Sequence, residues 1–156
     1  MNAARDGYTL LVFASAIAIN ATLFTNLNFA SILRVPNVIL VNPSFPVQTV
    51  PELIAYARAN PGKINMATAG IGTTPHVFGE LFKMMTGVNL LPVHYRGGGP
   101  ALTDLLAGRV QVMFDPAGEA MGYIKAGKLR GLAVTSATRL AALPGHPDGW
   151  RLRAGL

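Results

Sequence analysis

Residues 64–76, INMATAGIGTTPH, and residues 90–100, LLPVHYRGGGP, decide how this chain folds. Each opens with a short apolar run, turns through glycine and meets a proline just before a helical pattern begins. Proline suits the first turn of a helix, where its missing N–H has no helical partner to lose. Glycine lets the backbone bend sharply on leaving a strand. Asp115-Pro116, after the apolar run Val110–Phe114, uses the same device a third time.

Working outward, six apolar runs read as strands: Tyr8–Phe13, Asn37–Val41, Ile64–Thr68, Leu90–Tyr95, Val110–Phe114 and Arg130–Thr135. Most are continuous rather than alternating, as in strands covered on both faces. Thr49 and Glu52 have the spacing of a capping box, with Leu53, Ile54 and Ala57 as the apolar stripe behind it. Asn60-Pro61-Gly62 ends that helix. Thr74, Gly99 and Asp115 read as caps of three further helices. Their apolar positions are Val77, Phe78, Leu81, Phe82 and Met85; Ala101, Leu102, Leu105 and Leu106; and Ala117, Ala120, Met121 and Ile124. Strands alternating with helices predict an α/β domain with a mostly parallel central sheet flanked by helices. Met84-Met85 and the other methionines read as core filler. From Arg139 the periodicity fails, and residues 139–156 read as an irregular tail.

Composition narrows the function. Apolar residues make up 51% and charged residues 13% of the 156, which excludes a disordered chain. Lys and Arg number 13 against 7 acidic residues, for a net charge of +6, yet no three basic residues are consecutive. Nucleic-acid binders concentrate their charge, so no nucleic-acid partner is expected and only a mild preference for anions remains. With no Cys, thiol nucleophiles, disulfides and zinc-thiolate sites are absent. The run Leu10–Ile19 is shorter than the ~20 residues a membrane-spanning helix needs, so no membrane insertion is expected. Asp6 interrupts a basic leader and Gly7-Tyr8-Thr9 reads as a turn, so the run is taken as a buried strand rather than a signal peptide.

The candidate site follows from the two glycine turns. Gly70, Gly72, Thr73, Thr74 and His76 join a strand to a helix start, and Gly97, Gly98 and Gly99 do the same after the next strand. Free N–H groups, a partial positive charge and hydroxyls suit a carboxylate or a phosphate. The alternative is an ordinary pair of capped turns. In a parallel sheet both turns lie at the carboxyl edge of the strands, where ligands of open α/β sheets bind. Neither turn has the Gly-Lys-Ser/Thr ending of a P-loop or the dinucleotide glycine pattern, so no nucleotide cofactor is expected. Asp115 either caps its helix or accepts a hydrogen bond from a ligand or water. His76, His94 and His146 show no metal-ligand spacing, and no nucleophile elbow is present, so neither metal nor catalytic residues are assigned.

Several segments in one order carry a resemblance: Asp6–Leu11, Val35–Val38, Thr68–His76, Tyr95–Leu106, Val112–Asp115 and Lys125–Arg130. Together they resemble the receptors of the tripartite tricarboxylate transporter family, also called Bug proteins, over residues 5 to about 144. The resemblance implies a type II periplasmic-binding-protein fold, mostly one lobe with a mixed or parallel sheet. It implies residues 1–33 as a remnant of the first lobe, 34–138 as the ligand-binding second lobe and 139–156 as a divergent tail. It further implies a periplasmic location, a small carboxylate ligand, membrane permease subunits as partners and no enzymatic step. Gly72, Thr73, Thr74, His76, Gly97–Gly99 and Asp115 would face the cleft, with Ser15 contributing from the first lobe. The family's signal peptide and first strand do not appear ahead of Arg5, the link after Leu27 is short, and the sequence after Pro144 departs, which reads as a truncated member. Two alternatives remain open: a small α/β enzyme with Asp115 or His76 as base on a carboxylate or phosphate substrate, and a fragment without function.

Overall fold

A computed structural model of the chain describes residues 36–135. The predicted strand Tyr8–Phe13, Ser15 and the segments 1–33 and 139–156 lie outside the described residues.

Five strands form one mixed sheet: β1 Asn37–Val41, β2 Asn65–Thr68, β3 Leu91–His94, β4 Val112–Pro116 and β5 Arg130–Val134. Their order is β3-β2-β4-β1-β5. β2 runs parallel to both β3 and β4, and β1 runs antiparallel to β4 and β5. β5 therefore points the same way as β2, β3 and β4, and one reversed strand sits inside an otherwise parallel sheet. The carboxyl ends of four strands and the amino end of β1 share one edge, since Asn37 pairs with Pro116 and Val38 with both Asp115 and Val134.

Four helices cover the sheet: α1 Val50–Ala59, α2 Thr74–Thr86, α3 Gly98–Leu106 and α4 Ala117–Lys125. Successive strand residues point to opposite faces. On one face Ile39, Val41, Met66, Val112 and Phe114 pack with Leu53 of α1 and Phe82 of α2. On the other, Val38, Leu40, Ala67 and Met113 pack with Ala101, Leu102 and Leu105 of α3 and Ala117 and Ala120 of α4. β1, β4 and β5 are buried on both sides, which is why their sequences are apolar with little alternation, whereas the edge strand β3 is exposed at Leu91 and His94.

The observed helix starts correct the predicted ones. Thr74, Gly99 and Asp115 are not the caps. Thr73 and Gly97 cap α2 and α3, so Thr74 and Gly99 already lie inside their helices. Asp115 and Pro116 are still paired in β4, and Pro116 is the cap of α4. None of these three caps makes a side-chain cap bond. A proline is tolerated anywhere in the first helical turn, so it marks a helix start only to within a residue or two. The methionine pair is a second correction. Met84 is 81% and Met85 41% exposed, because α2 buries Pro75, Gly79, Phe82 and Thr86 instead. Met66 and Met113 do fill core space.

The start of α1 keeps its predicted form with one change. Thr49 Oγ1 accepts from the Glu52 N–H at 3.3 Å, while the Glu52 carboxylate accepts from the Gln48 N–H at 2.7 Å rather than from Thr49. Thr49→Ala is expected to lower stability by about 1 kcal/mol, read as a shift in the urea midpoint at unchanged slope.

Candidate functional site

The site is the carboxyl edge of β2, β3 and β4. β2 ends at the buried Thr68, and the chain turns through Ala69–Thr73 into α2. Gly70 and Gly72 have φ of +123° and +78°, which side chains with a Cβ rarely adopt. Thr73 closes the turn on itself: its N–H and its hydroxyl both donate to the Gly70 carbonyl, at 3.3 and 2.6 Å. The Gly72 N–H donates to His76 Nδ1 at 3.2 Å. His76 thus holds the turn from the first coil of α2, and the Gly72 amide is already engaged.

The second turn lies beside the first. Tyr95 N–H donates to the Thr68 carbonyl at 3.0 Å, and a Cβ on Gly70 would stand 3.5 Å from the Tyr95 carbonyl oxygen. Gly97, with φ of +134°, caps α3, and Gly98 and Gly99 form its first turn. Nothing lies within 4 Å of a Cβ placed on Gly72, Gly97 or Gly99. These faces of the two turns are open, and the α2 and α3 N-termini present their amides at one edge. The two turns that the sequence singled out are therefore neighbours.

The side chains around them divide by sheet face. On the α2 face, Thr68 Oγ1 hydrogen-bonds His94 Nδ1 at 2.8 Å, and the His94 ring meets the His76 ring edge to face at 5.2 Å between centroids. On the α3 face, the Tyr95 hydroxyl donates to Asp104 Oδ2 at 2.8 Å, and Arg109 pairs with the other oxygen. Burial, then the Asp104 hydrogen bond and charge, raise the Tyr95 pKa, so this phenol stays neutral. Arg96 is exposed on the β3–α3 turn and makes no ion pair with a described residue.

Asp115 sits differently from the other predicted residues. It is 1% exposed at the end of β4, and its Oδ2 has no hydrogen-bond partner among the described residues. Burial, and secondly the Glu119 charge, push its pKa up to about 7. Asn37, the first residue of β1, is also buried, with both side-chain polar atoms unpartnered among the described residues, although its backbone N–H donates to Thr135 Oγ1 at 2.9 Å. Sequence reasoning missed Asn37, Thr68, Arg96 and Glu119. Asn37 and Thr68 do carry a signal, since each is a polar residue at the end of an apolar run. Glu119 carries none, because an acid in a first helical turn is ordinary. Ser15 lies outside the described residues. Among the described residues, no three His, Cys, Asp or Glu side chains group as metal ligands, and no helix is long and apolar enough to cross a membrane.

Comparison with known proteins agrees with this architecture. The sequence profile described as tripartite tricarboxylate transporter family receptor matches residues 1–149. A UPF0065 protein of Bordetella pertussis is 34% identical over 151 residues, which are 91% of this chain and 47% of that protein. Among solved structures, Rpa4515 of Rhodopseudomonas palustris with adipate is 42% identical with a TM-score of 0.71, over 74% of this chain and 38% of the other. MatC from the same organism, with bound malate, is 26% identical with a TM-score of 0.71, over 73% and 39%. This chain spans about half the length of the curated relatives it matches. Sequence and fold together place it: the chain belongs to the tripartite tricarboxylate transporter receptor family.

Proposed function

We propose that the described residues are the second-lobe wall of an extracytoplasmic receptor that captures a small carboxylate and presents it to the permease subunits of a tripartite transporter. The observation that carries the reading is the adjacency of the two glycine turns, Gly70–Thr73 and Gly97–Gly99, at one edge of the sheet. Amides at two helix N-termini favour an anion there without any side-chain charge. Thr73, Thr74 and His76 flank the first turn and Arg96 the second. Adipate and malate are bound by two structural relatives, which makes carboxylates the natural ligand class to test. Residues 1–33 would belong to the first lobe, with Ser15 on its side of the cleft, 34–138 to the second lobe and 139–156 to a divergent tail. Binding requires no covalent step, and this reading assigns no catalytic residue.

Titration calorimetry of the chain with adipate, malate and citrate, and with the neutral diamide of adipate, tests it. Heat of binding is expected from at least one acid and not from the diamide. Arg96→Glu is expected to weaken acid binding about fivefold, roughly 1 kcal/mol for an exposed charge a few ångströms away, and the difference shrinks as salt is raised. Equal binding of acid and diamide, or no binding of any carboxylate, overturns the reading.

A further inference from the structure

Asp115 is the group that the anion site leaves over. Its register partner Val38 and its neighbour Met113 both pack on the α3/α4 face, so its side chain lies on that face too. There it sits at the end of β4, one residue before the Pro116 cap of α4. The first turn of α4 carries Glu119, whose Oε2 stands 3.3 Å from the position of a Cβ on Gly98. One carboxylate of the protein thus already stands at the first turn of α3, and a second, Asp115, is buried at the end of β4 with an oxygen that has no partner among the described residues.

We propose that carboxylate capture is coupled to proton uptake by Asp115: a ligand carboxylate arriving at Gly97–Gly99 stands beside Glu119, adds a second negative charge there and drives a proton onto the buried acid. The proposal deepens the carboxylate-receptor reading and rests on it. The physical reason is that a negative charge beside a buried carboxyl favours its neutral form. Glu119 acts on Asp115 in this way in the free chain. A ligand charge at the same turn adds to that effect on the buried Asp115 carboxyl. Contact between ligand and Asp115 is not needed.

The other groups around Asp115 do not take this role. α3 offers Asp104, which is held by Tyr95 and Arg109. β1, β2 and β5 bring Asn37, Thr68 and Thr135 to this edge, none of which titrates. Lys125 lies at the opposite end of α4, and Arg130 at the opposite end of β5. Arg96 is a fixed charge on the β3–α3 turn. His76 and His94 lie on the other sheet face, with α2.

The sign follows from linkage. If the bound state holds more protons than the free state, affinity falls as pH rises. Below pH 6 Asp115 already carries its proton and the ligand gains nothing. Above pH 7, affinity is expected to fall by up to about tenfold per pH unit until the bound-state pKa is passed. Calorimetry with adipate from pH 6.5 to 8.5, in two cationic buffers of different ionisation enthalpy, reads protons taken up per adipate bound. Net proton uptake is expected between pH 7 and pH 8, above the free-state pKa of about 7. It should disappear in Asp115→Asn and move to lower pH in Glu119→Gln, which removes the neighbouring charge. Uptake retained by Asp115→Asn, or adipate binding with no uptake at any pH, overturns the coupling and leaves the receptor reading standing. Absence of adipate, malate and citrate binding at every pH overturns both.

Discussion

Phe114→Ala is expected to cost about 3–5 kcal/mol, the range for removing a buried aromatic from a packed core. Phe114 is 2% exposed on β4, between β2 and β1 in the middle of the sheet. Its ring packs on Phe82 of α2 at 5.5 Å between centroids, and a Cβ on Gly79 would reach within 3.6 Å of it. A Cβ on Gly79 would also collide with Met66 Sδ, so α2 rests on β2 with almost no spacer. That closeness keeps the helix from sinking into the cavity left by the ring. The loss therefore includes the cavity term as well as the transfer term. Against a total stability of about 5–15 kcal/mol for a domain of this kind, the variant should lose a large share of its folded population on mild heating. Urea denaturation followed by circular dichroism measures it, with Leu91→Ala, 43% exposed on the edge strand β3, as the reference of small effect. A loss below about 1 kcal/mol would mean that α2 is not seated on β4 as described.

Much of this architecture is legible in the sequence, and the residues show why. Val38–Val41 and Val112–Phe114 are apolar at every position, which only a strand covered on both faces requires. The proline and glycine punctuation located every helix in residues 36–135. It did not fix the first residue of α2, α3 or α4, because proline fits several positions of the first turn. Strand direction was not legible either. A uniformly apolar run such as NVILV reads the same whether the strand is parallel or reversed, so the antiparallel setting of β1 emerges only from its pairing with Pro116 and Val134. The site divides along the same line. The two glycine turns were visible because backbone need for glycine is written in the residue type. The Thr68–His94 hydrogen bond and the Glu119–Gly98 approach depend on register and on helix placement, which local sequence does not encode. Asp115 was legible as a special residue, but the capping alternative offered for it is not what the structure shows. Its neighbour Pro116 suggested a cap, whereas the pairing of both with β1 buries the carboxyl in the sheet.

That burial makes the chain's stability depend on pH in an unusual direction. Most carboxylates that matter to a fold are stabilised as anions, and acid unfolds the protein. Asp115 is the reverse: its pKa in the folded chain is raised to about 7 from an ordinary value near 4. The folded state then holds the proton across an interval in which the unfolded chain has released it. The stability it contributes is fully present below pH ~4 and is lost as pH rises through pH ~7. Three pKa units correspond to about 4 kcal/mol, an upper figure for a buried group with a rearranging neighbour. Urea midpoints are thus expected to fall between pH 5 and pH 8. Asp115→Asn keeps the shape of the side chain and carries no ionisable proton, so its stability should be nearly flat over that interval and should exceed wild type at pH 8. Glu119→Gln should move the fall to lower pH, because the adjacent charge is the second contribution to the shift. Parallel curves for wild type and Asp115→Asn would show that the buried oxygen is compensated, and would remove the titrating acid on which proton-coupled capture depends.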